Sequence, residues 1–249
     1  MSKQNSENSI DIILNISNSL LKGKIEETVH FDKVIKRCKD KFDGLIYTFG
    51  QIKNHVGIVD SGQRDMKIIR ADWNNSNYNQ YNLIKNREIK HEIIFSKGFV
   101  KSLDSRIAFL ETFINNNEEF EKQEIKKISE FHFSDSEVKV ILNFNVDEAL
   151  SERLDIIDIL EMYSSIYYEM GIDILCIPIK FSECAKRIKE YMKIPIYISV
   201  DKNLNDDITL DILKDIQNID GVMFSEKLLR SSDGEIAYIL DQLRRQTKS

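Results

Sequence analysis

The chain has 249 residues, 42% of them hydrophobic and 31% charged, with a formal net charge of −6. That is enough length and apolar content for one full-sized core, and the acidic balance argues against a nucleic-acid or acidic-membrane surface as the main partner. Cys38, Cys176 and Cys184 are too few and too irregularly spaced for a disulfide framework or a zinc site, so reduced thiols in a cytoplasm are expected. Residues 1–9 are polar with no apolar stretch, read as a flexible N-terminus rather than a signal peptide. No apolar run approaches the roughly 18 residues that span a bilayer. The expectation is a cytoplasmic protein with no membrane or nucleic-acid partner and no cofactor, residues 10–249 forming one domain.

In chain order, residues 10–16 form a first buried-type strand, followed by a helical pattern over 31–41 with Val34, Ile35 and Cys38 on one face. Gly44-Leu-Ile-Tyr-Thr-Phe49 is a second strand and Lys67-Ile-Ile-Arg-Ala-Asp-Trp73 a third, with a short or distorted helix between them. Residues 74–82 are an Asn-rich loop of the kind found at a functional rim. A short helix at 95–103 precedes the fourth strand, Arg106-Ile-Ala-Phe-Leu-Glu-Thr-Phe113. A charged amphipathic helix spans 118–131, and its mixed-sign run reads as a solvated face. Val138-Lys-Val-Ile-Leu-Asn-Phe144 is the fifth strand, and 151–170 the longest helix.

The most informative stretch comes next. Gly171-Ile-Asp-Ile-Leu-Cys-Ile-Pro-Ile-Lys180, a helical pattern over 182–192 and Ile194-Pro-Ile-Tyr-Ile-Ser-Val200 read as strand, helix, strand. A helix at 211–217, a strand Asp220-Gly-Val-Met-Phe224 and a closing helix at 235–245 complete the chain. Eight strands spaced about 30 residues apart predict a single (β/α)8 TIM barrel, an α/β fold. A doubly wound open sheet is the rival, but Ser17-Asn-Ser-Leu-Leu-Lys-Gly23 after the first strand is no dinucleotide fingerprint. Both prolines fall near strand ends, where a missing ladder donor costs least.

Several motifs resemble one family. Met170-Gly-Ile-Asp-Ile-Leu-Cys-Ile-Pro178 is similar to the sixth strand of the class I aldolases, the barrels that include archaeal-type fructose-bisphosphate aldolase and deoxyribose-phosphate aldolase. Lys193-Ile-Pro-Ile-Tyr-Ile-Ser199, Asp43-Gly-Leu-Ile-Tyr-Thr48 and Ile69-Arg-Ala-Asp-Trp73 resemble its seventh, second and third strands. The resemblance implies a lysine within the sixth strand that forms a Schiff base with a substrate carbonyl. Cys176 stands there instead, and a thiol cannot form the iminium. The aspartate-histidine-glycine expected after the first strand is Ser17-Asn18-Ser19, and the fifth-strand tyrosine is Phe144.

The phosphate cradle beyond the last two strands is altered as well. Val200-Asp201-Lys202 and Ser225-Glu226-Lys227 stand where backbone-exposing glycines are expected. A carboxylate at about 4 Å from a phosphate costs roughly 1 to 4 kcal/mol, which disfavours a sugar phosphate unless the lysines dominate.

Candidate catalytic residues are Asp72, Lys180 and Cys176. Asp72 ends the third strand, where carboxylates in barrels are often catalytic, but it also shares parity with Arg70 and reads equally as an ion pair. Lys180, of Cys176's parity and roughly 13 Å further along an extended strand, is a relocated amine or a solvated loop lysine. Cys176 is a nucleophile or inert packing. Candidate ligand-binding residues are Glu111, Asn143, Asn145, Asp201, Lys202 and Ser225. His30, His55, His91 and His132 show no metal-ligand spacing and read as surface or boundary residues.

Two functions follow. One is a divergent aldolase-like barrel that has lost Schiff-base chemistry and binds a small molecule at its mouth, or serves as a homo-oligomer or as the partner of an intact aldolase-like chain. The other is an active carbon–carbon lyase using Lys180.

Overall fold

The structure, a computed structural model, describes residues 10–17, 31–38, 40–54, 66–74, 91–115, 117–132, 137–147, 150, 153, 155–201 and 219–246. Ten strands lie among them: β1 (Asp11–Asn15), β2 (Gly44–Tyr47), β3 (Met66–Arg70), β4 (Asp72–Asn74), β5 (His91–Ile93), β6 (Ile107–Ile114), β7 (Lys139–Val146), β8 (Ile174–Pro178), β9 (Ile196–Val200) and β10 (Gly221–Ser225). Eight of them, all parallel, close into a barrel in the order β1-β10-β9-β8-β7-β6-β3-β2, while β4 and β5 form a separate antiparallel ribbon. Around the ring the strands follow chain order, so the fold is a single (β/α)8 TIM barrel.

Alternation along each strand sorts the side chains into two layers. Ile13, Ile46, Ile68, Phe109, Ile141, Ile174, Cys176, Tyr197 and Met223 fill the barrel interior. Their neighbours Ile12, Leu14, Leu45, Ile69, Leu110, Leu142, Phe144, Leu175, Ile198 and Phe224 pack outward under the helices. Burial on both faces is why these strands read as unbroken apolar runs in the sequence. At the base, Gly221 leaves room for the Tyr197 ring, since a Cβ there would meet three ring carbons at 2.7 to 2.8 Å.

One device recurs at that base. Asp43, Asp173 and Asp220 stand just before β2, β8 and β10. Their carboxylates accept from the backbone N–H groups of Ile12, Val140 and Ile196 at 2.8, 2.9 and 2.7 Å. Each carboxylate thereby supplies an acceptor to the start of the strand next in the ring, where a backbone donor would otherwise be unpaired.

Helices α1 (Phe31–Cys38), α2 (Phe49–Asn54), α3 (Lys97–Ser102), α4 (Glu118–His132), α5 (Ile156–Glu169), α6 (Ser182–Lys189) and α7 (Asp233–Gln246) lie outside the ring. Their ends follow the residues present. Asn117 caps α4 through Phe120 N–H, and Glu118, Glu119 and Glu121 fill its first turn, where the helix dipole favours negative charge. Ser232 and Glu235 form a reciprocal capping box at α7. Gly171, with φ +86°, ends α5: its N–H donates to the Tyr168 carbonyl and Ile172 N–H to the Tyr167 carbonyl. Arg37 on α1 reaches the Leu229 and Ser231 carbonyls and the Asp233 carboxylate, tying the first described helix to the last.

The structure corrects the reading of residues 67–73 as one strand. The barrel strand ends at Arg70, and Asp72 opens the ribbon instead. Phe144 is corrected too: it faces outward against Tyr167, ring centroids 5.7 Å apart, so the inward positions beside it belong to Asn143 and Asn145. The longest described helix is α4, with 15 residues against 14 for α5. The helix expected at 211–217, most of the Asn-rich loop, His30, His55, Asn18, Ser19 and Lys202 lie outside the described residues. No described helix is long and apolar enough to cross a membrane.

Candidate functional site

The C-terminal rim of β3 and β6 carries a buried cluster of charges. Arg70 is the last residue of β3 and points inward, two residues above Ile68, with its guanidinium 5.9 Å from the centre of the Phe109 ring. Its Nε donates to Asp72 Oδ1 at 2.8 Å, one Nη to Glu111 Oε2 and the other to Ser17 Oγ at 3.3 Å. Ser17 in turn donates to Asn15 Oδ1 at 2.6 Å, linking the cluster to the end of β1. Burial opposes the guanidinium charge, and the negative fields of Glu111 and Asp72 more than restore it.

The ribbon exists because the chain leaves the barrel at Ala71. The Ala71 N–H makes its bond to the Phe109 carbonyl at 3.0 Å, and its own carbonyl turns to Ile94 and Phe95. The next β6 donor, Glu111 N–H, is met by Asp72 Oδ2 at 2.5 Å, a side-chain acceptor in place of a backbone one. In the ribbon Asp72 stands opposite Ile93 and Asn74 opposite His91, so Asp72 and His91 share one face. Asp72 and His91 are buried there, while Trp73 on the opposite face is 39% exposed.

His91 is 1% exposed and lies between two carboxylates. Its Nε2 is 3.0 Å from Asp72 Oδ2 and its Nδ1 2.5 Å from Glu124 Oε2 on α4. An imidazole can donate from both nitrogens only when doubly protonated, so this geometry calls for the imidazolium. Burial alone would push the group down. The hydrogen bonds to Asp72 and Glu124 and their charges outweigh it and raise the pKa from 6.5 to about 9. Asp72, fully buried, is pushed up by burial but held below its ordinary value by Arg70, His91 and the Glu111 N–H. Lys127 closes the group, donating to the His91 carbonyl and lying 3.4 Å from Glu124. Three cations, Arg70, His91 and Lys127, thus face three carboxylates, Asp72, Glu111 and Glu124.

The structure brings Asp72, Glu111, Asn143 and Cys176 to one sector of the barrel. Glu111, Asn143 and Cys176 are ladder neighbours on β6, β7 and β8, and all point inward. Cys176 is fully buried, burial pushes its thiol up, and its partner is Ser199 on β9. Lys180 stands apart. β8 ends at Pro178 and residues Ile179–Phe181 form a 3-10 turn, so strand parity does not carry on to Lys180, which is exposed with its ammonium 6.0 Å from the Phe181 ring centre. At the far rim Asp201 pairs with Lys227 at 2.8 Å, and Ser225 Oγ accepts from Lys227 N–H to cap the turn Glu226–Arg230.

His91, Glu124 and Lys127 are the members that the sequence does not single out. His91 reads by sequence as one of four surface or boundary histidines and Glu124 as part of a solvated charged run, yet each is 1% exposed. The available signal was position: Glu124 falls one turn before Ile128, on the inward stripe of α4. Among the described residues no group of three or more His, Cys, Asp or Glu side chains is arranged to hold a metal ion.

No family model matches the chain, and no curated protein matches it. Among solved structures it is similar to an archaeal fructose 1,6-bisphosphate aldolase, with TM-score 0.69 and 14% identity over 94% of this chain and 93% of that one. A Schiff base-forming fructose-1,6-bisphosphate aldolase aligns with TM-score 0.71 and 13% identity over 94% of each chain. Orotidine 5'-monophosphate decarboxylase from Methanocaldococcus jannaschii aligns with TM-score 0.58 and 12% identity, covering 95% of this chain and 99% of that one. The fold is an aldolase-like TIM barrel. At these identities the likeness is one of architecture.

Proposed function

We propose that this chain is an aldolase-like barrel that no longer carries out Schiff-base chemistry and that binds a small molecule at its C-terminal mouth. The observation that carries the reading is Cys176. It occupies the inward face of the strand in which class I aldolases keep their amine, is wholly buried, and is held as a neutral thiol. Among the described residues the buried lysine is Lys97 on α3, whose ammonium donates to the His132 carbonyl at the end of α4, 2.8 Å away. Lys127 and Lys227 are each committed to carboxylates. An electron sink needs an uncharged amine that reaches the substrate carbonyl, and none of these is so placed.

The test is borohydride reduction in the presence of fructose 1,6-bisphosphate or dihydroxyacetone phosphate, followed by mass mapping. No stable lysine adduct is expected, and an adduct on any lysine overturns the reading. The rival, a carbon–carbon lyase using Lys180 with Asp72 as acid or base, draws support from the position of Lys180 just beyond β8. It requires Lys180→Ala to abolish turnover with little change in Tm.

A further inference from the structure

Among the described residues of the mouth, Asn143 keeps a buried acceptor that no hydrogen bond reaches. Asn143 points inward from β7, one layer above Ile141, and is 6% exposed. Its Oδ1 is buried and has no hydrogen-bond partner among the described residues. A buried amide oxygen without a donor is costly, and a native chain keeps one chiefly where something else supplies the bond. Its ladder neighbour Glu111 is the most exposed carboxylate of the charge cluster, with its side chain 9% exposed against 0% for Asp72 and 1% for Glu124. Two acceptors therefore stand side by side on neighbouring strands, near the spacing of about 5 Å that separates paired residues.

Charge decides what meets them. Arg70, His91 and Lys127 balance Asp72, Glu111 and Glu124, so the cluster offers no net charge to an ion of either sign. At the opposite rim, Lys227 is paired with Asp201. An anion would displace an existing ion pair, and an ammonium would lose its hydration for a site without net charge. A hydroxyl group is a donor that brings no charge, and two hydroxyls on one molecule supply one donor to each acceptor.

We infer that the barrel mouth takes an uncharged polyhydroxylated molecule, with Asn143 Oδ1 and the Glu111 carboxylate accepting from its hydroxyl groups. The inference rests on the small-molecule reading above and names the ligand's chemical class.

The experiment compares glycerol with glycerol 3-phosphate and mannitol with mannitol 1-phosphate on the full chain, by calorimetry and ligand-observed NMR. A neutral polyol is expected to saturate, with its phosphorylated counterpart binding no more tightly. Asn143→Leu is expected to weaken the polyol by about tenfold or more while Tm holds or rises, since the substitution removes an unpaired buried polar atom. Asn143→Ser, which keeps an acceptor, is expected to lose less. A phosphorylated partner binding about tenfold tighter, or polyol binding indifferent to Asn143→Leu, overturns the inference and leaves the small-molecule reading in place. If neither neutral nor phosphorylated probe saturates at roughly 10 mM, both are overturned. A borohydride adduct without change in the polyol result ends only the loss of Schiff-base chemistry.

Discussion

His91 is the residue on which the buried charges turn. Two carboxylates face it across hydrogen bonds, and replacing it by Ala leaves Asp72 and Glu124 without their shared cation. Removal of one member of a buried ion network costs about 3 to 5 kcal/mol, so urea denaturation of His91→Ala is expected to show a loss of that order. The sign of the pH effect follows from the raised pKa. The folded value, about 9, lies above the unfolded 6.5, so the stabilisation is full below pH 6.5 and is lost as pH rises through 9. Denaturant midpoints between pH 6 and pH 10 are expected to fall across that window in the unaltered chain and to stay flatter there in His91→Gln. Cys176 offers a second check. Sealed in the barrel and held as a thiol, it should resist iodoacetamide at pH 8 until the chain is unfolded; rapid native labelling mapped to Cys176 contradicts its placement.

Strands and helices here are held by their ends as much as by their cores. The aspartates before β2, β8 and β10 each satisfy one backbone donor near the start of the adjoining strand. Asp173→Ala strands the Val140 N–H and is expected to cost about 1 to 3 kcal/mol, measured by thermal or urea melting. Gly171→Ala should cost about 1 kcal/mol or somewhat more, because φ is +86° there and the added Cβ would come within 3.1 Å of the His132 ring. The β4–β5 ribbon is the least self-sufficient element. It has three residues in each strand, and beside the partly buried Ile93 the Asp72 and His91 contacts to β6 and α4 hold it in place.

For the molecule as a whole, the ring of parallel strands was legible because burial on both sides forces long β-branched runs, and the intervening amphipathic stretches have a helical period. Apolar patterning and chain order were enough to reach the barrel, and the resemblance of the sixth strand to that of the class I aldolases put Cys176 at an inward position, where the structure has it. Parity selects Asn143 and Asn145 as the inward residues of β7, whereas the resemblance pointed to Phe144, one residue away and facing outward. What no local pattern carried was the break after Arg70. Ile69, Arg70, Ala71, Asp72 and Trp73 alternate as one strand would, and only the competition between the Phe109 carbonyl, the Glu111 N–H and the ribbon partner sends the chain out of the barrel. The pairing of His91 with Asp72 and Glu124 likewise joins residues 19 and 33 apart in the chain. Sequence by itself thus determined the architecture, since hydrophobic period is a local property that each stretch carries alone. The tertiary structure decided which charges are buried and which partner each keeps, because desolvation and Coulomb attraction depend on neighbours that only folding brings together.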